Sequence, residues 1–213
     1  CYRPDIMTKT IPGKIAWIDT IADEQAGPAL KRSLDNARTP SGTVDNVMRV
    51  HSLRPHTMDG HVALYRSVLH NDANTLPPWL AETIGSYVCV LNDCTYSYHN
   101  HWSNARHLIE DEKRALEIEK ALLADDPEAA FSGAELAMLR YTRKLTLRPG
   151  AMEAGDVAAM RNAGVSDSDI LEVNQVISYF CYVHRLLNGL GVTTAGDVIG
   201  YYEQAPPSGE LDS

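Results

Sequence analysis

Apolar residues return at helical spacing along most of the chain. Met58, Val62, Tyr65 and Leu69 recur every three or four positions after Pro55, whose fixed φ suits a first helical turn, so a helix is predicted from Pro55 to about Leu69. Pro77-Pro78 restarts the chain as an apolar helix carrying one acid, Glu82. That pattern breaks at Asn92-Asp93, residues that favour caps over helix interiors. A second helix is expected to begin at Cys94, capped by Asn92 or Asp93, and to run to about Ile109. Lys113 to Leu123 reads as a charged, exposed helix ended by Asp125-Asp126-Pro127. Ser132-x-x-Glu135 is a capping-box pattern opening a helix to about Leu147, and Glu153 to Asn162 is a shorter helix ended by Gly164. Ser166-x-x-Asp169 caps the last long helix, whose stripe is Ile170, Val173, Ile177, Cys181, His184 and Leu187 or Leu190, with Gly189 and Gly191 as stops. Upstream, Gly27-Pro28 opens a short helix over Ala29 to Ala37.

Nothing alternates with period two for long, so the predicted fold class is all-α. Residues 1–22, anchored by Ile11, Ile15, Trp17 and Ile18, read as an N-terminal arm; residues 23–204 form one helical domain, and 205–213 a flexible tail. A chain of 213 residues suffices for one domain with a real core. The broad apolar faces of several helices, both central ones among them, predict a homo-oligomer.

The totals narrow the partners. A net charge of −9 argues against nucleic acid or an anionic membrane as a partner, since both need a basic footprint. No apolar run is long enough for a membrane span, and no charged-then-apolar leader is seen. Cys1 is not a translation start, and Met7 is the expected one. Cys1, Cys89, Cys94 and Cys181 are too few and too scattered for a disulfide framework, so a reducing, cytoplasmic setting is expected.

The chemistry concentrates between Glu82 and His101. On a helix starting at Cys94, Ser97 lies roughly 60° and His101 roughly 20° away from it, so a thiol, a hydroxyl and an imidazole share one face. A cysteine in a first turn meets free backbone N–H groups and the positive end of the helix dipole, which predicts a favoured thiolate and the most reactive internal thiol of the chain. His99 points away from His101, and no cofactor or metal is demanded, although Glu82, Cys94 and His101 would make a three-ligand set. His51, His56 and His61, like Cys181 and His184, read as structural.

A Glu, then C-x-x-C twelve residues on, then a His four residues after the second Cys is the signature of the alkylhydroperoxidase D / carboxymuconolactone decarboxylase family, and this stretch resembles it. Glu82, Cys94 and His101 match, while Ser97 stands at the second cysteine. V-H-S-L-R-P at 50–55, the H-x-x-L-Y stretch from His61 to Tyr65, K-L-T-L-R-P-G-A at 144–151 and Y-F-C-Y-V-H-R-L-L-N-G-L-G-V at 179–192 are similar to the peroxidase-related branch, over roughly residues 25–203. There the position of Cys181 is commonly Asn.

The resemblance implies an all-α AhpD-like fold and a thiol-dependent oxidoreductase. A hydroperoxide oxidises one thiolate, the second thiol resolves it, and Glu and His move the protons. With Ser97 in place an intrahelical disulfide cannot form, so Cys94 would need an external thiol reductant, Cys181 or a neighbouring subunit. The alternative is a non-redox decarboxylase-, lyase- or isomerase-like enzyme on a small carboxylic acid, with Glu82 and His101 as acid–base pair and Ser97 as hydrogen-bond donor. A third reading is a ligand-binding member without catalysis.

Overall fold

Every regular element among residues 11–202, which the computed structural model describes, is helical. Nine α-helices follow in order: α1 Pro28–Asn36, α2 Asn46–Arg49, α3 Pro55–Leu69, α4 Pro78–Leu91, α5 Thr95–Ile109, α6 Glu112–Leu123, α7 Gly133–Leu147, α8 Ala154–Asn162 and α9 Asp167–Leu190. The tail expected at 205–213 and the start expected at Met7 lie outside the described residues.

Helix α4 is the centre, packed on α5, α9 and α7. Leu80 through Val90 are all buried within the one chain, Ile84, Tyr87, Val88 and Cys89 completely so. The chain therefore covers the α4 face that suggested a partner subunit, and large apolar residues left outside include Leu116 on α6 and Leu171 on α9. Two apolar clusters result. The larger joins α4, α5, α7 and α9; the smaller joins Leu30, Leu34, Met48, Met58 and Val62.

The turn between α4 and α5 sets the register of everything near it. Asn92 ends α4, Asp93 takes φ 50, and Asp93 and Cys94 donate their N–H groups to Val90 and Cys89 at 3.2 and 2.9 Å. This is the left-handed helix stop usually built with Gly, tolerated by Asp because its short side chain suits that conformation. Cys94 is consequently itself the N-cap of α5, which begins at Thr95, one residue later than expected, and neither Asn92 nor Asp93 caps it.

Three other expectations are corrected. Ser132 makes no side-chain cap, because Gly133 opens α7 at φ 54, outside the helical region that capping requires. Helix α6 is amphipathic, with Ala115, Ile118, Ala121 and Leu122 buried. Gly189 lies inside α9, and Gly191 alone stops it, at φ 59. Ser166 does cap α9, accepting from the Asp169 N–H at 3.1 Å.

Candidate active site

Glu82 faces inward from α4, and its side chain is almost wholly removed from solvent. A buried carboxylate must be answered by donors, and α5 supplies them. One oxygen meets His101 Nδ1 at 2.7 Å, and the other accepts from Asn104 Nδ2 at 3.2 Å. The Asn104 oxygen in turn accepts the Tyr201 N–H at 2.6 Å, tying the end of the described chain to the site. Ser97, His101 and Asn104 stand four and three residues apart on one face of α5. As a carboxylate Glu82 only accepts, so His101 carries its hydrogen on Nδ1 and leaves Nε2 as the basic atom.

Phe180 of α9 sets its ring edge-on to the His101 imidazole, centroids 4.5 Å apart at 82°. The same phenyl nests against Gly85, one turn after Glu82, where any Cβ would overlap it. Gly85 is thus the position that lets α9 approach α4 closely enough to brace the histidine.

Ser97, His101 and Asn104 line a cavity of about 120 Å³ at the seam of the two apolar clusters. That is close to the roughly 150 Å³ of an apolar cavity that accepts benzene, so a ring-sized ligand sets the scale. Tyr65, Tyr179, His70 and Asp45 share the lining with His101, as do Arg38 and Arg66. Burial and the neighbouring Asp197 raise Asp45 to about 6, and burial keeps Tyr65 and Tyr179 in their phenol forms. Asp45 Oδ1, His70 Nε2 and Ser97 Oγ are buried without a hydrogen-bond partner, and all three residues belong to the cavity lining.

The thiols lie elsewhere. Cys94 is fully buried and is not part of the lining. Burial pushes its thiol up to about 12, and the Ser97 backbone N–H offsets this only in part. The expected thiolate is therefore overturned: desolvation outweighs the helix-start field. Cys89 is also sealed, its Sγ 3.3 Å from His184 Nε2, and burial lifts its thiol far above the ordinary range. Ser97 Oγ reaches no hydrogen-bond geometry with that thiol, yet sits near enough to favour its ionised form slightly. Asn92 links His184 Nδ1 at 3.1 Å to Cys181 Sγ at 3.7 Å, and Cys181 is half-buried.

Of the four residues singled out in the sequence, Glu82, Ser97 and His101 share one site and Cys94 stands behind it. Asn104 escapes the sequence reading, although it lies seven residues after Ser97 on the same helical face. Tyr179 and Asp45 escape it because no local pattern connects them with α5. Among the described residues no three His, Cys, Asp or Glu side chains are grouped to hold a metal ion, and no helix is long and apolar enough to cross a membrane.

No protein-family model and no curated protein matches the sequence. Solved structures do match. A peroxidase-related protein from Silicibacter sp. TM1040 superposes with TM-score 0.73 and 19% identity, over 87% of this chain and 94% of that one. An alkylhydroperoxidase AhpD core protein from Ralstonia eutropha JMP134 gives 0.72 and 18%, over 85% and 93%. This chain has the AhpD fold. The debrominase Bmp8 in complex with 2,3,4-tribromopyrrole shares it at TM-score 0.65 and 14% identity, over 82% and 89%. The AhpD fold thus occurs in proteins named for different reactions, and the chemistry of this chain must be read from its own side chains.

Proposed function

We propose that this protein is an acid–base enzyme acting on a small, ring-sized carboxylic acid, with His101 as the proton-transfer group and Glu82 as its orienting partner. The observation that carries this reading is the division of the site. The 2.7 Å Glu82–His101 pair opens on the cavity, whereas Cys94 is sealed behind it as a neutral thiol. A carboxylate that fixes one imidazole nitrogen leaves the other to take or give a proton. Arg66, whose guanidinium donates to the Asn36 side chain and carbonyl, supplies positive charge to the lining for a substrate carboxylate. Ser97 Oγ is a hydrogen-bond donor in reserve.

The test is a parallel assay of decarboxylation and isomerisation on a panel of small cyclic carboxylic acids, with wild type and His101→Gln. Loss of a positioned acid–base group lowers turnover by about 10²–10⁴-fold. Equal rates in the two proteins would remove His101 from the reaction.

A second reading, hydroperoxide reduction through Cys94, is favoured by the peroxidase-related structural neighbours. Ser97→Cys would place a second thiol three residues after Cys94, restoring a pair at C-x-x-C spacing. Peroxide consumption by that variant with a dithiol reductant, absent from wild type, would show that only the missing thiol limits redox chemistry. A disulfide that forms without consuming peroxide would leave the acid–base reading in place.

A further inference from the structure

A chain of hydrogen bonds runs from the cavity to the surface through residues of α3 and α9. Tyr179, which lines the cavity, has its hydroxyl 3.1 Å from His61 Nε2. His61 Nδ1 is 3.1 Å from His51 Nε2, and His51 Nδ1 is 2.8 Å from Thr57 Oγ1. Thr57 is exposed, and its hydroxyl donates to the Arg54 carbonyl at 2.8 Å. Between these ends Tyr179, His61 and His51 are buried, so the chain is insulated along its length.

The outer end fixes the direction of every bond. A threonine hydroxyl has one hydrogen, and the Arg54 carbonyl, which can only accept, takes it. His51 Nδ1 must then be the donor to Thr57. Burial lowers the basicity of both imidazoles, His61 to about 3, so each is neutral and carries one hydrogen. His51 Nε2 is therefore bare and accepts from His61 Nδ1, and His61 Nε2 is bare and accepts the Tyr179 hydroxyl. The phenol proton is held inward, and what Tyr179 offers the cavity is an acceptor oxygen.

We infer that Tyr179 is a second proton-transfer group of the cavity, the inner end of a relay through His61, His51 and Thr57 to solvent, and that the substrate presents an O–H or N–H to it. This rests on the acid–base reading of the cavity. In the forward sense the substrate's O–H or N–H bond breaks as the Tyr179 oxygen takes its proton, and the tyrosine's own proton passes to His61 Nε2. The His61 Nδ1 proton passes to His51 Nε2 and the His51 Nδ1 proton to Thr57, whose exposed hydroxyl turns its own hydrogen from the Arg54 carbonyl to water and releases it there. Each group gains one proton and loses one, so no imidazolium is formed in the interior, and the reverse sequence returns a proton to the site. Two proton-transfer groups brought to one cavity by different helices suit a reaction that removes a proton at one atom and adds one at another.

The relay is tested without knowing the substrate. In the full-length protein labelled with ¹⁵N-histidine, two-bond N–H spectra report which nitrogen of each ring holds the hydrogen. His51 and His61 are both expected to be protonated at Nδ1 and bare at Nε2. Tyr179→Phe should move the His61 Nε2 signal toward that of a free acceptor while leaving Nδ1–H in place. Thr57→Val, which removes the outer acceptor at an exposed position, should shift the His51 and His61 populations toward Nε2–H. Phenol is the cavity probe, with fluorobenzene as the ring lacking a donor. Tyr179→Phe should weaken phenol at least about tenfold and leave fluorobenzene unchanged, as expected for loss of one hydrogen bond of about 1.4 kcal/mol. A ring protonated at Nε2 in wild type, histidine signals unmoved by both variants, or phenol that fails to bind or binds both proteins equally would each overturn the inference. If Tyr179→Phe does not fold, the wild-type and Thr57→Val spectra still decide the direction of the chain. The nitrogen spectra of His51 and His61 report a chain in which His101 takes no part, so failure there is distinct from failure of the His101 assay.

Discussion

The turn between α4 and α5 divides two chemistries that the sequence places side by side. On one side Ser97, His101 and Asn104 meet Glu82 at the edge of a cavity. On the other, Cys94 and Cys89 share the interior with His184, outside the lining of the cavity that His101 faces. Both sides have a reactive residue type, an imidazole and the start of the same helix. What separates them is access to a polar surround: a carboxylate answers the imidazole of the first, and burial outweighs the other influences on the thiols of the second. A helix terminus favours an anion by about 0.3–1 kcal/mol at an exposed site. Raising a thiol from its ordinary value of 9.0 to about 12 reflects a desolvation of about 4 kcal/mol. Desolvation wins.

The largest expected effect bears directly on that difference. At pH 8 a thiol at about 12 is ionised about 10³-fold less than one at the ordinary 9.0, so Cys94 should alkylate slower than in the unfolded chain by about that factor. Cys181, the only partly accessible cysteine among the described residues, should label first of Cys89, Cys94 and Cys181. Timed alkylation read by mass spectrometry checks both. Rapid native labelling of Cys94 would erase the contrast between the two sides.

The next effect concerns what holds the cavity side in place. Gly85→Ala puts a methyl into the ring of Phe180, which braces His101. Overpacking of this kind destabilises by about 1–3 kcal/mol, and the upper end is expected because the Gly85 backbone is buried within α4 and the Phe180 ring within α9. Gly189→Ala is the control: a Cβ there meets open space, and an exposed helical glycine replaced by alanine gains about 0.5–1 kcal/mol. Chemical denaturation of the two variants should move in opposite directions.

Asp45 should show the cost of a charge on the cavity wall. Its pKa in the folded protein, about 6, lies above the ordinary 3.8. The stability it lends is therefore complete below pH 3.8 and is lost as pH rises through 6. Asp45→Asn removes that loss. The full shift corresponds to about 3 kcal/mol, reduced by partial solvent screening to about 1–2 kcal/mol at pH 7. The gain over wild type should be near zero at pH 4. A denaturation difference that is flat between pH 4 and pH 7 would show that Asp45 ionises freely.

The helical layout is legible because periodicity and end signals are local. Pro55, Pro78 and Ser166 mark helix starts in the structure as they do in the sequence. The Glu82–His101 pair is legible only through a family signature, since nineteen residues and a turn separate its members. Ser132 fails as a cap because the left-handed Gly133 that follows it has no periodic signature. Cys94 misleads for a deeper reason. Position on a helix can be counted along the chain, but burial depends on what α9 brings against it. The Tyr179–His61–His51 chain looks like packing in the sequence for the same reason: its members touch only after α3 and α9 meet.

The smallest effect is the most telling about Ser97. Its hydroxyl is buried and reaches no hydrogen-bond partner, whereas Ser86, one helix away, donates to the Glu82 carbonyl at 2.8 Å. Removing a satisfied buried hydroxyl costs about 1 kcal/mol, so Ser86→Ala should destabilise by that much. Removing an unsatisfied one returns its desolvation penalty, so Ser97→Ala should be neutral or stabilising by up to about 1 kcal/mol. Such a result would mean that serine stands at this position against the interest of the empty protein's stability. The hydroxyl is then explained by what enters the cavity, and the same substitution should weaken binding of a polar ring such as phenol while sparing fluorobenzene. If instead Ser97→Ala destabilises as much as Ser86→Ala, the hydroxyl is already satisfied, by the Cys89 thiol beside it. Ser97 would then belong with the sealed thiols rather than with His101.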